Sequence, residues 1–272
     1  MVSLGFVLVF KATRVLNLAM GEFLMIGSYI GFFLISHLGM HFVPALVIVA
    51  VLMGILGLLV HYRIMRSLVG RPFFAIVLVT IGVAIVIRGV ILVVAGPIER
   101  SRMTGLTNRM FDFGGVRVEA FNFFIFGVAL VLVAAFYAFF RLSRLGLHMR
   151  AVAENLPAAS AMGISPDRIY ALAWCISLAM AGAAGVFFGH YTAAIDLNIA
   201  AIGIRAAPAA IVGGLDSVEG AIVGGLVVGT LEQVGSGYLG ADYRDVIPFL
   251  ILTIMLYVRP AGLFGSKELI RI

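Results

Sequence analysis

The polar segment at residues 141–168 reads RLSRLGLHMRAVAENLPAASAMGISPDR, and it separates two long apolar runs. The run at 120–140 reads AFNFFIFGVALVLVAAFYAFF, and the run at 169–189 reads IYALAWCISLAMAGAAGVFFG. Each run has 21 residues and contains no Asp, Glu, Lys or Arg. Because about 20 apolar helical residues cross the ~30 Å hydrocarbon core of a bilayer, this stretch predicts two transmembrane helices joined by a loop outside the membrane.

The composition of the whole chain indicates the same class of protein. Hydrophobic residues make up 62% of the 272 residues, and the mean hydropathy is +1.15, whereas a soluble domain is about 45–50% apolar. Only helices and closed barrels satisfy their backbone hydrogen bonds in lipid, and these runs are too long for barrel strands. We therefore predict an all-α fold, a polytopic transmembrane helix bundle that forms a single domain over residues 1–272.

Eight segments have the apolar character of membrane spans, although the last three are short or interrupted by a charge or a proline. Such segments are tolerated at membrane depth where protein or an aqueous path covers them, so we expect some of them to be half-helices or re-entrant. The predicted spans are 17–37, 42–61, 73–95, 120–140, 169–190, 199–215, 219–236 and 246–258.

Lys and Arg are distributed unevenly between the two sets of loops that alternate along these spans. One set, which includes the loop 141–168 and the C-terminus, holds many more cations than acids. The other set holds slightly fewer cations than acids. Cytoplasmic loops carry the excess of Lys and Arg in membrane proteins. We therefore predict a multi-pass protein of a bacterial-type cytoplasmic (inner) membrane with a cytoplasmic C-terminus. Segment 96–119 becomes an external loop, whose composition suggests a small cap or hairpin.

Several function classes are excluded by what the sequence lacks. It contains no G-x-x-x-x-G-K-[ST] motif, so the chain has no phosphate-binding loop of its own, and energy must come from an ion gradient or another chain. The net charge of +6 is spread over loops, which argues against nucleic acid as a partner. The five His residues and Cys175 show no metal-ligand spacing, and no catalytic cluster is evident. We expect neither a metal site nor an enzyme.

The pattern of the loop 141–168 predicts a short amphipathic helix, a turn at Pro157 and a second helix of small residues. Two interpretations are open: a hairpin lying on the lipid surface, or a docking element that fits a groove on a cytoplasmic partner. Alternating Ala around a polar centre favours the second, because an interfacial helix carries bulkier apolar anchors and more cations. The two faces of the first helix hold Leu147, Ala151, Val152 and Leu156 on one side, and Arg150, Glu154 and Asn155 on the other.

Several segments resemble one family of membrane proteins. RAVAENLPAASAMGISPDRIYALAW (150–174) resembles the cytoplasmic coupling loop of the permease subunits of ABC importers. NLAMGE (17–22), AAIVGGLDSVEGAIVGG (209–225), YRD (243–245) and RPAG (259–262) are similar to segments of the branched-chain amino-acid permeases, the LivH-like branch. Met20 departs from the pattern, because the family usually has His there.

The resemblance implies the permease subunit of an importer that translocates branched-chain or related small amino acids inward. It further implies a second permease subunit, two ATP-binding subunits that carry ATP-Mg, and an external solute-binding protein, with no cofactor on this chain. The alternative is a stand-alone secondary transporter or channel for small polar solutes, whose ion site would have to involve Glu232. For the importer, the residues expected to contact the ATPase are Arg150, Glu154, Asn155, Ala158, Ala159 and Gly163.

Further residues are candidates for the translocation path or a hinge. Asn17, Gly21 and Glu22 form a polar break at the start of an apolar helix, where they either cap the helix or shape the path. The resemblance of 209–225 implies that Gly213 and Gly214 form a hinge. Charges inside spans usually face protein or water, so one hypothesis is an intramembrane ion pair between Arg88 and Glu232. The alternative is that each side chain reaches the membrane surface or meets backbone carbonyls.

Four glycines in the span 219–236 occur in pairs spaced four residues apart, which allows helices to pack closely. We expect these glycines to serve bundle packing, with a subunit interface or a moving helix of the path as the alternative. They are Gly220, Gly224, Gly225 and Gly229.

Overall fold

The computed structural model describes residues 1–96, 100–101, 110–113, 116–191 and 194–265. These residues form a bundle of α-helices with four short strands at one end. The helices are α1 (Val2–Thr13), α2 (Met20–Phe32), α3 (Phe42–Arg63), α4 (Phe73–Ala95), α5 (Ala120–Leu142), α6 (Arg144–Glu154), α7 (Leu156–Ala161), α8 (Pro166–Tyr191), α9 (Ala201–Gly213), α10 (Val218–Leu239) and α11 (Val246–Val258).

The strands lie in and near the segment that the sequence predicted to hold a cap or hairpin. Strand β2 (Met110–Phe113) pairs with β3 (Val116–Glu119) in an antiparallel hairpin, as predicted. Strand β1 (Arg100–Ser101) pairs with β4 (Ala194–Ile195), which ties this segment to the chain that follows α8. Residues 97–99, 102–109 and 114–115 of this segment lie outside the described part of the chain.

Six of the eight predicted spans are helices that are long and apolar enough to cross a membrane. They are Met20–His37, in which a π-helical turn extends α2, Phe42–Arg63, Phe73–Ala95, Asn122–Leu142, Pro166–Tyr191 and Val218–Leu239.

The other two predicted spans, like the N-terminal helix, are α-helices shorter than the thickness of the hydrocarbon core. Helices α9 and α11 have 13 residues each, and α1 has 12. At 1.5 Å per residue such a helix covers roughly 20 Å, less than the ~30 Å of the hydrocarbon core. The expectation that some of the last three segments are shorter than a full span is confirmed for α9 and α11, whereas the third of them, α10, is long enough to cross a membrane. The protein is a multi-pass membrane protein.

Ion pairs show which helix termini lie at the same end of the bundle. Asp167, at the start of α8, contacts His61 and Arg66 near the end of α3, at 3.1 Å and 3.3 Å. Arg141, at the end of α5, contacts Glu219 at the start of α10, at 3.3 Å. We call the end of the bundle at which these residues lie the basic end, because its loops carry the excess of Lys and Arg. These contacts agree with the alternation of spans that the sequence predicted.

Helix α8 lies at the centre of the bundle and packs closely on α2 and α3. Its Trp174 is fully buried. Gly27 of α2 approaches the backbone of Gly182, and Gly57 of α3 approaches the backbone of Trp174, so closely that a Cβ on either glycine would overlap it. Helix α4 differs, because Ile76 and Thr80 are its buried residues and most other side chains face outward.

Candidate functional site

The segments in which α2 and α9 begin meet near the middle of the bundle. Helix α2 begins at Met20, whose Sδ lies 3.9 Å from Oγ of Ser177, the twelfth of the 26 residues of α8. A Cβ on Gly21 would overlap the carbonyl group of Ala200, and a Cβ on Gly203 would overlap the backbone of Gly21. The start of α2 and the start of α9 therefore contact each other backbone to backbone, at about half the depth of α8.

The polar residues predicted at this break are buried beside it. Oδ1 of Asn17 accepts a hydrogen bond from the amide of Ala19 at 3.1 Å, so Asn17 closes a local turn just before α2. Its Nδ2 is buried and has no hydrogen-bond partner among the described residues. The carboxylate of Glu22 accepts a hydrogen bond from its own backbone amide and another from Nη2 of Arg88 at 3.3 Å.

The predicted pair between Arg88 and Glu232 is wrong, because each residue has a different partner. Arg88 contacts Glu22. Glu232 contacts Arg205 of α9 at 3.4 Å and Nε of Arg244 at 3.1 Å, and Arg205 also contacts Asp245 at 3.2 Å. Glu232 thus belongs to a four-residue charge network that joins α9, α10 and the residues before α11. Apart from its charge, nothing in the sequence indicated that Arg205 is the partner of Glu232.

One of the two predicted hinge glycines, Gly213, and two of the four predicted packing glycines belong to one contact between α9 and α10, whereas Gly214 lies against Phe264 and Gly265. The carbonyls of Gly213 and Gly220 each occupy the place that a Cβ on the other would take, and Gly224 lies against Ala209 and Gly213. Gly214 has φ of 110° and ends α9. This end of α9 is fixed further by the amide of Phe264, which donates to the carbonyl of Gly213 at 2.9 Å.

The other two glycines of α10 have different surroundings. A Cβ on Gly225 would lie 2.9 Å from Oγ of Ser3 in α1, whereas a Cβ on Gly229 would meet nothing within 4 Å. Both line a cavity of ≈ 500 Å³, whose described lining also includes Arg205 and Glu232. The four glycines therefore lie in three different environments and do not form a single helix-packing interface.

Helices α6 and α7 at the basic end form the element predicted to dock a partner. Gly146, Met149 and Val152 form the buried face of α6, so the predicted apolar face is partly wrong: Leu147 and Leu156 are exposed. The helix ends at Glu154 because Asn155 adopts an extended conformation and caps α7, with its Oδ1 accepting from the amide of Ala158 at 3.0 Å.

The six residues predicted to contact an ATPase divide into an exposed group and an anchoring group. Glu154, Asn155, Ala158 and Gly163 are exposed. Ala159 is buried. Arg150 turns back toward α5, where its guanidinium donates to the carbonyl of Phe140 and lies 5.5 Å from the centre of the Phe140 ring.

Arg150 and Ala159 therefore hold α6 and α7 on the bundle, while the exposed group forms a free surface on this single chain. The ion pairs of Asp167 with His61 and Arg66 add a second anchor that the sequence analysis did not identify. An acidic residue in the first turn of a helix is a weak signal that is explained equally well by the helix dipole.

Comparison with known proteins agrees with this architecture. The family model described as "Branched-chain amino acid transport system / permease component" matches residues 1–256. The high-affinity branched-chain amino acid transport system permease proteins LivH of Escherichia coli K12 and BraD of Pseudomonas aeruginosa are both 31% identical to this chain. These matches cover 98% of this chain, with 91% of LivH and 92% of BraD.

LivM of Salmonella typhimurium, another permease protein of such a system, is 27% identical over 96% of this chain and 66% of its own length. No solved structure matches the chain. Since the family model spans nearly all of the helical bundle, the chain belongs to the family of branched-chain amino acid transport system permease components.

Proposed function

We propose that this chain is the membrane-spanning permease subunit of an ABC importer that moves branched-chain or related small amino acids into the cell. The proposed assembly contains a second permease subunit, two ATP-binding subunits that carry ATP-Mg, and an external solute-binding protein. Similarity of the chain to both LivH and LivM, permease proteins of two different names, supports a pair of related permeases. The chain itself is proposed to bind no cofactor.

The proposed location is the cytoplasmic (inner) membrane of a bacterial-type cell, with the basic end of the bundle in the cytoplasm. The excess of Lys and Arg in the loops at this end supports that orientation. The C-terminus and the helices α6 and α7 are then cytoplasmic, and the hairpin of β2 and β3 is external.

The observation that carries the proposal is that α6 and α7 are anchored on one side and free on the other. Arg150 and Asp167 fasten the element to α5 and α3, while Glu154, Asn155, Ala158 and Gly163 remain exposed at the basic end. A rigid, exposed element of this kind can transmit a push or pull from a partner to the spanning helices. The proposed partner is the ATPase, and the proposed mechanism is alternating access driven by ATP hydrolysis.

The stand-alone alternative has less support from the charges inside the bundle. A secondary transporter uses acidic residues near the midplane to bind its coupling ion. Glu232, the residue that would have to serve, contacts two arginines, so its charge is already balanced. Glu22 is similarly balanced by Arg88.

The test is reconstitution of the complete transporter in proteoliposomes, followed by measurement of ATP-dependent uptake of labelled L-leucine. Ala158→Trp adds bulk to the exposed surface of α7, and we expect it to abolish both co-purification with the ATPase and ATP-dependent uptake. The control is Val69→Trp, because Val69 is also exposed at the basic end but lies in the loop between α3 and α4.

We expect the Val69 variant to retain the ATPase and the uptake. Uptake by the unaltered chain without any ATPase would contradict the proposal, as would equal behaviour of the two variants.

A further inference from the structure

A groove of ≈ 530 Å³ opens among α2, α4, α9 and α11. Its walls are mainly aliphatic, and they include Ile81 and Ile85 of α4 and Leu252 of α11. Among the described residues that line it, Glu22 and Arg88 carry charge. The groove thus combines one anion and one cation with a largely apolar surface.

The two charges lie inside the membrane-spanning part of the bundle. Arg88 is the sixteenth of the 23 residues of α4, about two thirds of the way along the helix. Glu22 is buried near the start of α2, and its carboxylate lies 3.3 Å from the guanidinium of Arg88. Charged side chains at this depth are costly in lipid and normally face protein or a water-filled path.

Arg88 is only partly enclosed by this chain. Its side chain is 49% exposed, although α4 is otherwise strongly apolar. A guanidinium has five N–H donors, and within the described part of the chain the acid that Arg88 contacts is Glu22. Donors therefore remain available at the groove, beside a carboxylate that holds the opposite charge.

This combination fits the chemistry of an α-amino acid with an aliphatic side chain. Such a molecule carries an ammonium and a carboxylate on one carbon atom, so a site for it needs an anion and a cation in contact with each other. We propose that the groove is a passage site for the zwitterion, with Glu22 facing its ammonium, Arg88 its carboxylate and the aliphatic wall its side chain. The inference deepens the proposed function, on which it rests.

The pairing of Glu22 with Arg88 also sets how tightly the site holds its ligand. Because the two residues already neutralise each other, a zwitterion must break their ion pair and lose its own hydration, and these two costs offset much of the energy of the two new ion pairs. A cationic or anionic solute leaves a net charge in a weakly polar region, which is costly. The site therefore admits neutral zwitterions weakly and disfavours charged solutes, which suits passage rather than storage.

Adjacent residues of α4 provide a matched steric test. Ile85 and Val86 are 67% and 65% exposed, so a bulky side chain at either position is compatible with folding. Ile85 lines the groove, and Val86 is not among its described lining residues. In proteoliposomes with the complete transporter and saturating binding protein, we expect Ile85→Trp to lower L-leucine uptake at least about tenfold, as for a filled pocket.

Val86→Trp is expected to leave uptake within about twofold of the unaltered transporter, a difference well under the 1.4 kcal/mol of a tenfold effect. Equal loss in both variants, or no loss in either, would overturn the inference.

The charges are tested by direct binding, which does not depend on transport. Saturation-transfer NMR on the purified complete transporter, without binding protein, detects weak ligands. We expect a signal from L-leucine that is several times stronger than the signals from isoamylamine, which lacks the carboxylate, and 4-methylpentanoate, which lacks the ammonium. The double variant Glu22→Gln/Arg88→Gln, which leaves neither charge unpaired, should lose the L-leucine signal while keeping its Tm and its ATPase subunits.

Equal signals from the three ligands, or an unchanged L-leucine signal in the double variant, would refute the site. If the double variant does not fold, Ile85→Trp decides the question through the same NMR signal. Absence of ATP-dependent amino-acid uptake by the unaltered transporter defeats the proposed function itself. Normal uptake and binding by all groove variants defeats the groove alone.

Discussion

Gly21 and Gly203 contact each other through their backbones, and neither has room for a Cβ atom. The two residues are far apart in the sequence, and each lies near the start of a helix that begins inside the bundle. Their contact fixes the start of α2 against α9 at mid-depth. A change at either glycine therefore acts on the packing of both segments.

We predict that Gly203→Ala destabilises the protein by about 1–3 kcal/mol, the usual cost of overpacking a filled interior. The measurement is the Tm of the purified chain in detergent. The control is Gly82→Ala in α4, where a Cβ meets nothing within 4 Å; this change should keep or raise the Tm, because Ala favours a helix. An unchanged Tm for Gly203→Ala would show that the two segments are not in contact.

A second pair of glycines tests the contact between α9 and α10. We expect Gly224→Ala to lower the Tm, because its Cβ would overlap the carbonyl of Ala209. We expect Gly229→Ala to keep or raise it, because Gly229 faces open space in the cavity and Ala favours a helix. Both residues lie in the same helix, so helix propensity affects them equally. If the two variants lost the same stability, the glycines would be acting through the helix and not through packing.

The charge network around Glu232 is expected to be structural. Glu232→Gln leaves Arg205 and Arg244 without their shared acid, and with Glu232 only 17% exposed we expect a loss of about 1–3 kcal/mol for unsatisfied partners. Arg205→Gln combined with Glu232→Gln should recover part of it. The comparison is Glu219→Gln, which breaks the exposed pair with Arg141 and should cost about 0–1 kcal/mol.

Thermal unfolding of the four proteins measures these differences. A loss for Glu232→Gln no larger than that for Glu219→Gln would contradict a structural role for the network. In that case Glu232 would become a candidate for transport.

Asn155 is expected to act on coupling through the shape of α7. Asn155→Ala removes the hydrogen bond to the amide of Ala158, which costs about 0.5–2 kcal/mol of local helix stability. We expect ATP hydrolysis to continue while L-leucine uptake per ATP falls, and Asn155→Ser, which can still cap, to restore the ratio. Loss of uptake in the Ser variant as well would indicate that Asn155 contacts the partner directly.

The full-length spans could be predicted because hydropathy and length are local properties of the chain. The runs 120–140 and 169–189 each exceed what the bilayer requires, and both are helices. The charge pairing could not be predicted in the same way. Counting residues gives the position of Arg88 along α4, but it does not tell which helix packs against the face of α4 that carries Arg88. Glu22 was therefore missed as its partner.

For the element formed by α6 and α7, the secondary structure could likewise be predicted, whereas the contacts of its side chains could not. The sequence predicted a helix, a turn near Pro157 and a second helix, and α6 and α7 have this form. It placed Arg150 on the partner-facing side, whereas the side chain reaches back to Phe140 of α5. The contact depends on the angle between α5 and α6, which is set by Gly146 lying against the end of α5 and is not encoded in the periodicity of α6.

Because α2 begins inside the bundle, the positive end of its helix dipole lies inside the bundle as well. The unpaired amides of a first helical turn carry roughly half a positive charge, and Glu22 is in that turn, with its own amide donating to its carboxylate. Glu22 therefore has one fixed positive partner, the peptide backbone, and one movable partner, the long side chain of Arg88. The backbone contribution does not depend on the rotamer of Arg88, so part of the charge of Glu22 is compensated by the helix itself.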